Sequence, residues 1–216
     1  MRLVLPRLYV ILDAVLLKNP ARECATSLVD AGARLIQYRN KRASARELFE
    51  TSRDLAEYLN PIGVQFIVND RADVAALVCA GGVHVGQDDL GVEQAREVIG
   101  DGKWVGVSTH NAGQFRSALE TSADYIAVGP VFATGSKDDP DPVVGVGFVR
   151  QTRAMTDRPI VAIGGITLER AVEVIEAGAD SVAIISDILR AENIGKRARQ
   201  YADLLERRDS GTAVKK

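Results

Sequence analysis

Eight short runs rich in Val and Ile, each followed by a longer amphipathic stretch, set the strongest limit on how this chain can fold. The runs are LYVIL (8–12), RLIQY (34–38), QFIVN (65–69), GVHVG (82–86), WVGVS (104–108), YIAVG (125–129), PIVAI (159–163) and SVAII (181–185). Helical patterns separate them, among them Ala21–Asp30, Ala45–Leu59, Val92–Ile99 and Leu168–Ala177. Near-continuous apolar strands signal burial on both faces, as in a parallel sheet. Alternation sustained eight times predicts an α/β chain closed into a single (β/α)8 TIM barrel, with a doubly wound open sheet as the rival.

Local phrases support that period. DAGARLI (30–36) and EAGADSV (176–182) each end a helix on a glycine suited to the left-handed cap and then enter a strand, and CAGGVHV (79–85) makes the same step. A last helix over roughly 194–207 places Ile194, Ala198, Tyr201, Leu204 and Leu205 on one side. The catalytic barrel is therefore expected over residues 1–207, with polar RDSGTAVKK (208–216) as a disordered tail. At the other end, Pro6, Arg7 and Asp13 interrupt MRLVLPRLYVILDAVLL, which reads as a first strand rather than a signal peptide. No uninterrupted apolar run reaches membrane-spanning length.

The 216 residues carry a formal net charge of −2, a balance that argues against nucleic acid or a membrane surface as partner and limits any anionic ligand to a small one. Cys24 and Cys79 are far apart and in no metal or redox spacing. Both fall in stretches read as helical, so buried thiols in a reducing, cytoplasmic compartment are expected.

In such a barrel the chemistry sits at the C-terminal ends of the strands. Those ends carry Asp13, then Gln37, Arg39 and Lys41, then Asn69 and Asp70, then Gln87, Asp88 and Asp89, followed by Ser108. The later strands add Thr134, Ser136 and Lys137, Gly164 and Gly165, and Ser186. Arg39 and Lys41 leave LIQYRNK with no carboxylate beside them in sequence, and solvated loop charges would explain that pair equally well. Lys137 belongs to FATGSKDDPDPVVGVG (132–147), a connection long enough to be a mobile flap. Three cations without fixed partners around one mouth predict a polyphosphate guest.

Asp70 and Asp89 have two readings. Each can cap the helix that follows it, or the pair can hold Mg²⁺, which takes one or two carboxylates together with substrate phosphate oxygens. The Gly-Gly turn in IVAIGGIT (160–167) is either a tight turn or half of a second phosphate site at a helix start. His84 reads as a hydrogen-bonded core residue and His110 has no assigned role. No Ser-His-Asp set, Cys-His pair or zinc spacing is present in the sequence.

QYRNK, FIVNDRADVA, GVHVGQDDL, GVSTHN, ADYIAVGPVFATGSK, IVAIGGIT and GADSVAIIS, in that order, resemble the thiamine-phosphate synthase (thiamine-phosphate pyrophosphorylase) family. The resemblance runs from about Leu8 to Ser186. It implies condensation of 4-amino-2-methyl-5-pyrimidinylmethyl diphosphate with 4-methyl-5-(2-phosphoethyl)thiazole, or its 2-carboxylate, giving thiamine phosphate and pyrophosphate, with carbon dioxide from the carboxylate. By resemblance Gln37 holds the pyrimidine, while Arg39, Lys41, Asn69 and Lys137 bind its diphosphate. Asp70 and Asp89 hold one Mg²⁺ per subunit, and Ser108 lies near the pyrimidine and the departing pyrophosphate. Arg39, Lys41, Ser108 and Lys137 are the implied catalytic set. Thr134 and Ser136 meet the thiazole, and Gly165, Ile185 and Ser186 its phosphate.

The family's reaction is dissociative and needs no protein nucleophile, which agrees with the lack of one here. Family members commonly read QLREK where this chain has QYRNK, and strand alternation turns Tyr38 and Asn40 away from the mouth. The acidity of KDDPDPVVG beside Lys137 leaves the flap's resting charge open. The alternatives are a thiazole tautomerase of the same fold, a single-phosphate barrel isomerase and a non-catalytic phosphate-ligand sensor. Oligomeric state stays open, a homo-oligomer included.

Overall fold

The computed structural model describes residues 3–135 and 141–211. Its first half runs β1 (Leu8–Asp13), α1 (Ala21–Asp30), β2 (Leu35–Arg39), α2 (Ala45–Leu59), β3 (Gln65–Asn69), α3 (Ala72–Leu77), β4 (Gly82–Val85) and α4 (Val92–Ile99). The second half runs β5 (Trp104–Thr109), α5 (Ala112–Leu119), β6 (Tyr125–Val128), α6 (Gly145–Arg153), β7 (Ile160–Ile163), α7 (Leu168–Glu176) and β8 (Ser181–Ile184). Short α8 (Ser186–Leu189) and long α9 (Ile194–Gly211) complete it. All eight strands pair in parallel and in sequence order, and β8 returns to β1 with Leu8 opposite Val182. Closure excludes the open sheet.

The Val/Ile runs become strands to within one residue at either end because every strand is covered on both faces. Parity decides which face each side chain takes. On β1, Val10 joins the layer between sheet and helices, while Tyr9 and Ile11 point into the barrel with Leu35, Ile67, Tyr125, Val161 and Ala183. Helix α2 shows the local logic of the outer ring. Ser44 accepts the Glu47 N–H at 3.2 Å as its N-cap, and Leu48, Leu55, Ala56 and Leu59 are buried on one face.

Some elements escape the pattern. Helix α5 buries only Phe115 and Ala118, too few to mark a stripe, and four-residue α8 is too short to show one. Helix α6 begins at Gly145, inside the stretch read as a loop, with two glycines in its first turn. Cys24 is buried in α1, but Cys79 is exposed and lies past the end of α3 with φ 54°, so the expectation of two buried helical thiols fails for it. Among the described residues no helix is long and apolar enough to cross a membrane.

The floor of the barrel is built by a repeated phrase, ADYIAV (123–128) and ADSVAI (179–184). In each copy the Asp before the strand accepts an N–H from the neighbouring strand's start and binds an Arg. Asp124 takes Val105 N–H at 2.7 Å and Arg96 at 2.5 Å, and Asp180 takes Ile160 N–H at 2.8 Å and Arg153 at 2.7 Å.

Candidate active site

A cavity of about 370 Å³ opens at the C-terminal ends of the strands. Strand parity feeds it: on β2, Gln37 and Arg39 line the cavity while Tyr38 turns outward into the sheet–helix core. The Tyr38 hydroxyl accepts the Asn40 side-chain amide at 3.3 Å, and Asn40 Oδ1 accepts the N–H groups of Arg42 and Ala43, both at 3.1 Å. These two residues shape the loop and leave the mouth alone, as alternation requires.

The first side of the mouth corrects the sequence reading. Arg39 and Lys41 have carboxylate partners brought from other strands. Arg39 forms an ion pair with buried Asp13, its in-register neighbour across β1 and β2, and Asp13 also accepts Val15 N–H at 3.1 Å. Lys41 Nζ lies 3.3 Å from Asp70 Oδ2, with more than half of the lysine side chain exposed. The sequence could not show either pair, because Asp13 is 26 residues from Arg39 and Asp70 is 29 from Lys41. Lys137, the third expected cation, lies outside the described residues, as does Ser136.

Asp70 and Asp89 cap no helix. The N-cap positions of α3 and α4 are Arg71 and Gly91, neither with a side-chain cap bond. Asp70 instead adopts φ 62°, a left-handed conformation that Asp tolerates better than most residues, and faces the Asp89 carboxyl. Asp89 Oδ2 also accepts Gly86 N–H at 2.8 Å. Burial and then the Asp89 carboxyl push Asp70 up to about 6, with Lys41 pulling the other way. Both aspartates line the cavity together with Asn69. Two adjoining oxygen donors without a capping task suit a hard divalent ion. Among the described residues no group of three or more His, Cys, Asp or Glu side chains is arranged for a metal, so any such ion draws further ligands from water or substrate.

The second side is backbone. Gly164 (φ 100°) and Gly165 (φ 61°) make a turn that no other residue fits. A Cβ on Gly164 would lie 2.5 Å from Pro130 Cβ, and one on Gly165 would lie 2.3 Å from the Ala133 carbonyl oxygen. The turn leads into α7, whose N-cap Thr167 makes no side-chain cap bond. Gly164, Ile185 and Thr134 line the cavity, whereas Gly165 and Ser186 sit one residue behind the lining.

Across the bottom of the cavity, the expected site residues Gln37 and Ser108 are joined through three groups that the sequence reading missed (Tyr9 and Tyr125) or left in the core (His84). Gln37 Nε2 donates to the Tyr9 hydroxyl at 2.7 Å, and Tyr9 and Tyr125 hydroxyls are 3.1 Å apart. Tyr125 is 3.1 Å from His84 Nδ1, and His84 Nε2 is 2.9 Å from Ser108 Oγ. Gly106, opposite Tyr125 in register, is the signal that could have found it: a Cβ there would lie 2.1 Å from the phenol ring. His110, unassigned from sequence, lines the mouth between the Gly129 carbonyl (2.7 Å from Nδ1) and Asp141 (3.5 Å from Nε2).

Residues 8–188 match the model of a family described as thiamine monophosphate synthase. A thiamine-phosphate synthase from Koribacter versatilis is 51% identical over 193 residues, covering 87% of this chain and 90% of that protein. One from Chloroflexus aurantiacus is 43% identical over 200 residues, 92% of each chain. Among solved structures, the thiamine phosphate pyrophosphorylase from Pyrococcus furiosus superposes with a TM-score of 0.84 at 34% identity, covering 93% of this chain and 96% of its own.

Proposed function

The chain belongs to the thiamine monophosphate synthase family of transferases, and from that premise we propose how its mouth makes thiamine phosphate. The β2–β4 side takes the pyrimidinylmethyl diphosphate, and the Gly164–Gly165 side takes the phosphate of the thiazole. The observation that carries this reading is the charge of the lining. Among its described residues, Arg39 and Lys41 are opposed by Asp70, Asp88, Asp89 and Asp141, so carboxylates outnumber cations by four to two. A diphosphate placed there alone would meet net repulsion. A divalent cation held by Asp70 and Asp89 would cancel that excess of negative charge, and Mg²⁺ bound there would supply charge neutralisation to the leaving diphosphate.

The chain's own residues then divide the work. Asp13 holds the Arg39 guanidinium against β1, so that its remaining N–H donors keep a fixed direction toward the leaving oxygens. Lys41, long and exposed, follows the charge as a mobile partner, and Asn69 in the same lining offers an amide donor. Gln37 and Ser108 hold the pyrimidine edge. The C–O bond to diphosphate breaks while the electron-rich aminopyrimidine spreads the positive charge on its methylene, and the thiazole nitrogen then attacks that carbon. Thr134, Ser136 and Lys137 belong to the segment that would cover this step and keep water from trapping the cation. Gly165, Ile185 and Ser186 receive the thiazole phosphate through backbone N–H groups and one hydroxyl.

The test is incubation of the purified chain with both substrates, with and without Mg²⁺, assaying thiamine phosphate and pyrophosphate together. Equal amounts of both, formed only with metal, are expected. Product formed equally well after exhaustive chelation would remove Asp70 and Asp89 from the metal role. No product from the folded chain under either condition would overturn the reaction.

A further inference from the structure

We propose that His84 is a positioning residue: through Tyr125 and Tyr9 it fixes the hydrogen-bonding sense of the pyrimidine pocket, so that Ser108 offers its hydroxyl hydrogen and Gln37 its amide oxygen. The inference rests on the assignment of this pocket to the pyrimidine diphosphate.

Four links join five groups, and with the imidazole neutral each interior group has one proton to give. Gln37 Nε2 donates to Tyr9, so the Tyr9 proton must go to Tyr125. Tyr125 then donates to His84 Nδ1, which leaves the ring hydrogen on Nε2, directed at Ser108 Oγ. Ser108 accepts it, and its own hydrogen is left for the cavity. Burial holds both phenols well above their ordinary range, so neither gives up its proton and breaks the sequence. Because each link sets the next, no member reverses alone. Turning the Gln37 amide would require both phenols, the imidazole and the serine to reverse with it.

The two ends thus present one acceptor and one donor to the ligand. A 4-aminopyrimidine edge offers the complement, N–H on the exocyclic amine and a lone pair on a ring nitrogen. A 4-oxo analogue exchanges these, and the locked pocket has no cheap way to follow it. Space is reserved for the device: Gly106 gives up its side chain to seat the Tyr125 ring, which stacks on His84 with centroids 5.6 Å apart.

Two measurements test this. In the whole protein, nitrogen-15 resonances of the imidazoles report the tautomer directly, and with only two histidines in the chain His84→Gln assigns them. His84 is expected with Nε2 protonated and Nδ1 bare, and a proton on Nδ1 overturns the proposal. Tyr125→Phe removes one oxygen from a residue that does not line the cavity. It should narrow the preference for the 4-amino over the 4-oxo diphosphate, as a ratio of kcat/KM, by about tenfold, with KM for the thiazole phosphate unchanged. An unchanged ratio in an active, folded variant overturns the proposal alone, and if that variant does not fold the tautomer decides. No thiamine phosphate from the unaltered chain would overturn the functional reading itself and this proposal with it.

Discussion

The floor and the mouth of the barrel use the same residue types to opposite ends. At the floor, Asp124 and Asp180 each hold an arginine and an N–H near the start of a neighbouring strand, so charge and backbone are satisfied together. At the mouth, Asp70 leans on another carboxyl, Asp89, in a left-handed backbone conformation, and its cation partner Lys41 is mostly in water. A carboxylate with an arginine and an amide is settled. A carboxyl facing another carboxyl, with one mostly exposed lysine beside it, is left short of positive charge. On the proposed function, the difference separates residues that serve stability from residues that serve binding, within one residue type and one fold.

Arg39→Ala should have the largest effect, because Arg39 belongs to both classes. Loss of a charge-assisted donor at the leaving group is expected to lower kcat/KM about a thousandfold, or roughly 4 kcal/mol. Asp13, buried and deprived of its partner, should also cost on the order of 3 kcal/mol of stability, read by urea titration. An Arg39→Ala protein as stable as the parent would mean that the Asp13 pair carries no structural weight.

Asp180→Ala comes next and should separate the two regions cleanly. It leaves Arg153 and the Ile160 N–H without this partner, a loss of about 2–3 kcal/mol in unfolding free energy, while kcat/KM measured well below the melting temperature stays the same. A fall in turnover without a fall in stability would break the division between floor and mouth.

The smallest effect has the opposite sign. Asp70 titrates near 6 in the folded chain against 3.8 as its ordinary value, so the folded state holds that proton more tightly. Its contribution therefore favours folding at low pH and is lost as pH rises from about 4 through about 6. Asp70→Asn, tested without metal, should melt about 2–4 °C above the parent at pH 7.5, with the gap closing near pH 4. The same variant should need more Mg²⁺ for turnover. A lower melting temperature at pH 7.5 would show that the Lys41 pair outweighs the repulsion.

How much of this was legible depends on how local the cause is. The strand runs, the helix ends and the glycine turns come from short-range chemistry: period-two burial, capping by Ser44, left-handed φ at Gly164 and Gly165. Polar side chains at the strand ends were also readable, since parity and barrel topology send Gln37, Asn69 and Ser108 the same way. The charge state of the mouth was not. Arg39 looked free in LIQYRNK because its partner stands on the preceding strand, and the cap reading of Asp70 and Asp89 could be rejected only once α3 and α4 had starts that use neither.

The hydrogen-bonded chain marks the same boundary. Tyr9 and Tyr125, 116 residues apart, are ordinary strand residues until the barrel closes and sets one against the other. The sequence by itself determined which segments become strands and helices, which turns require glycine and which residue types reach the rim. The tertiary structure alone decided which charges are neutralised, which carboxylates face each other and which hydroxyls and ring nitrogens are joined. Those depend on inter-strand register and on burial, and both exist only after eight separate runs have closed into one sheet.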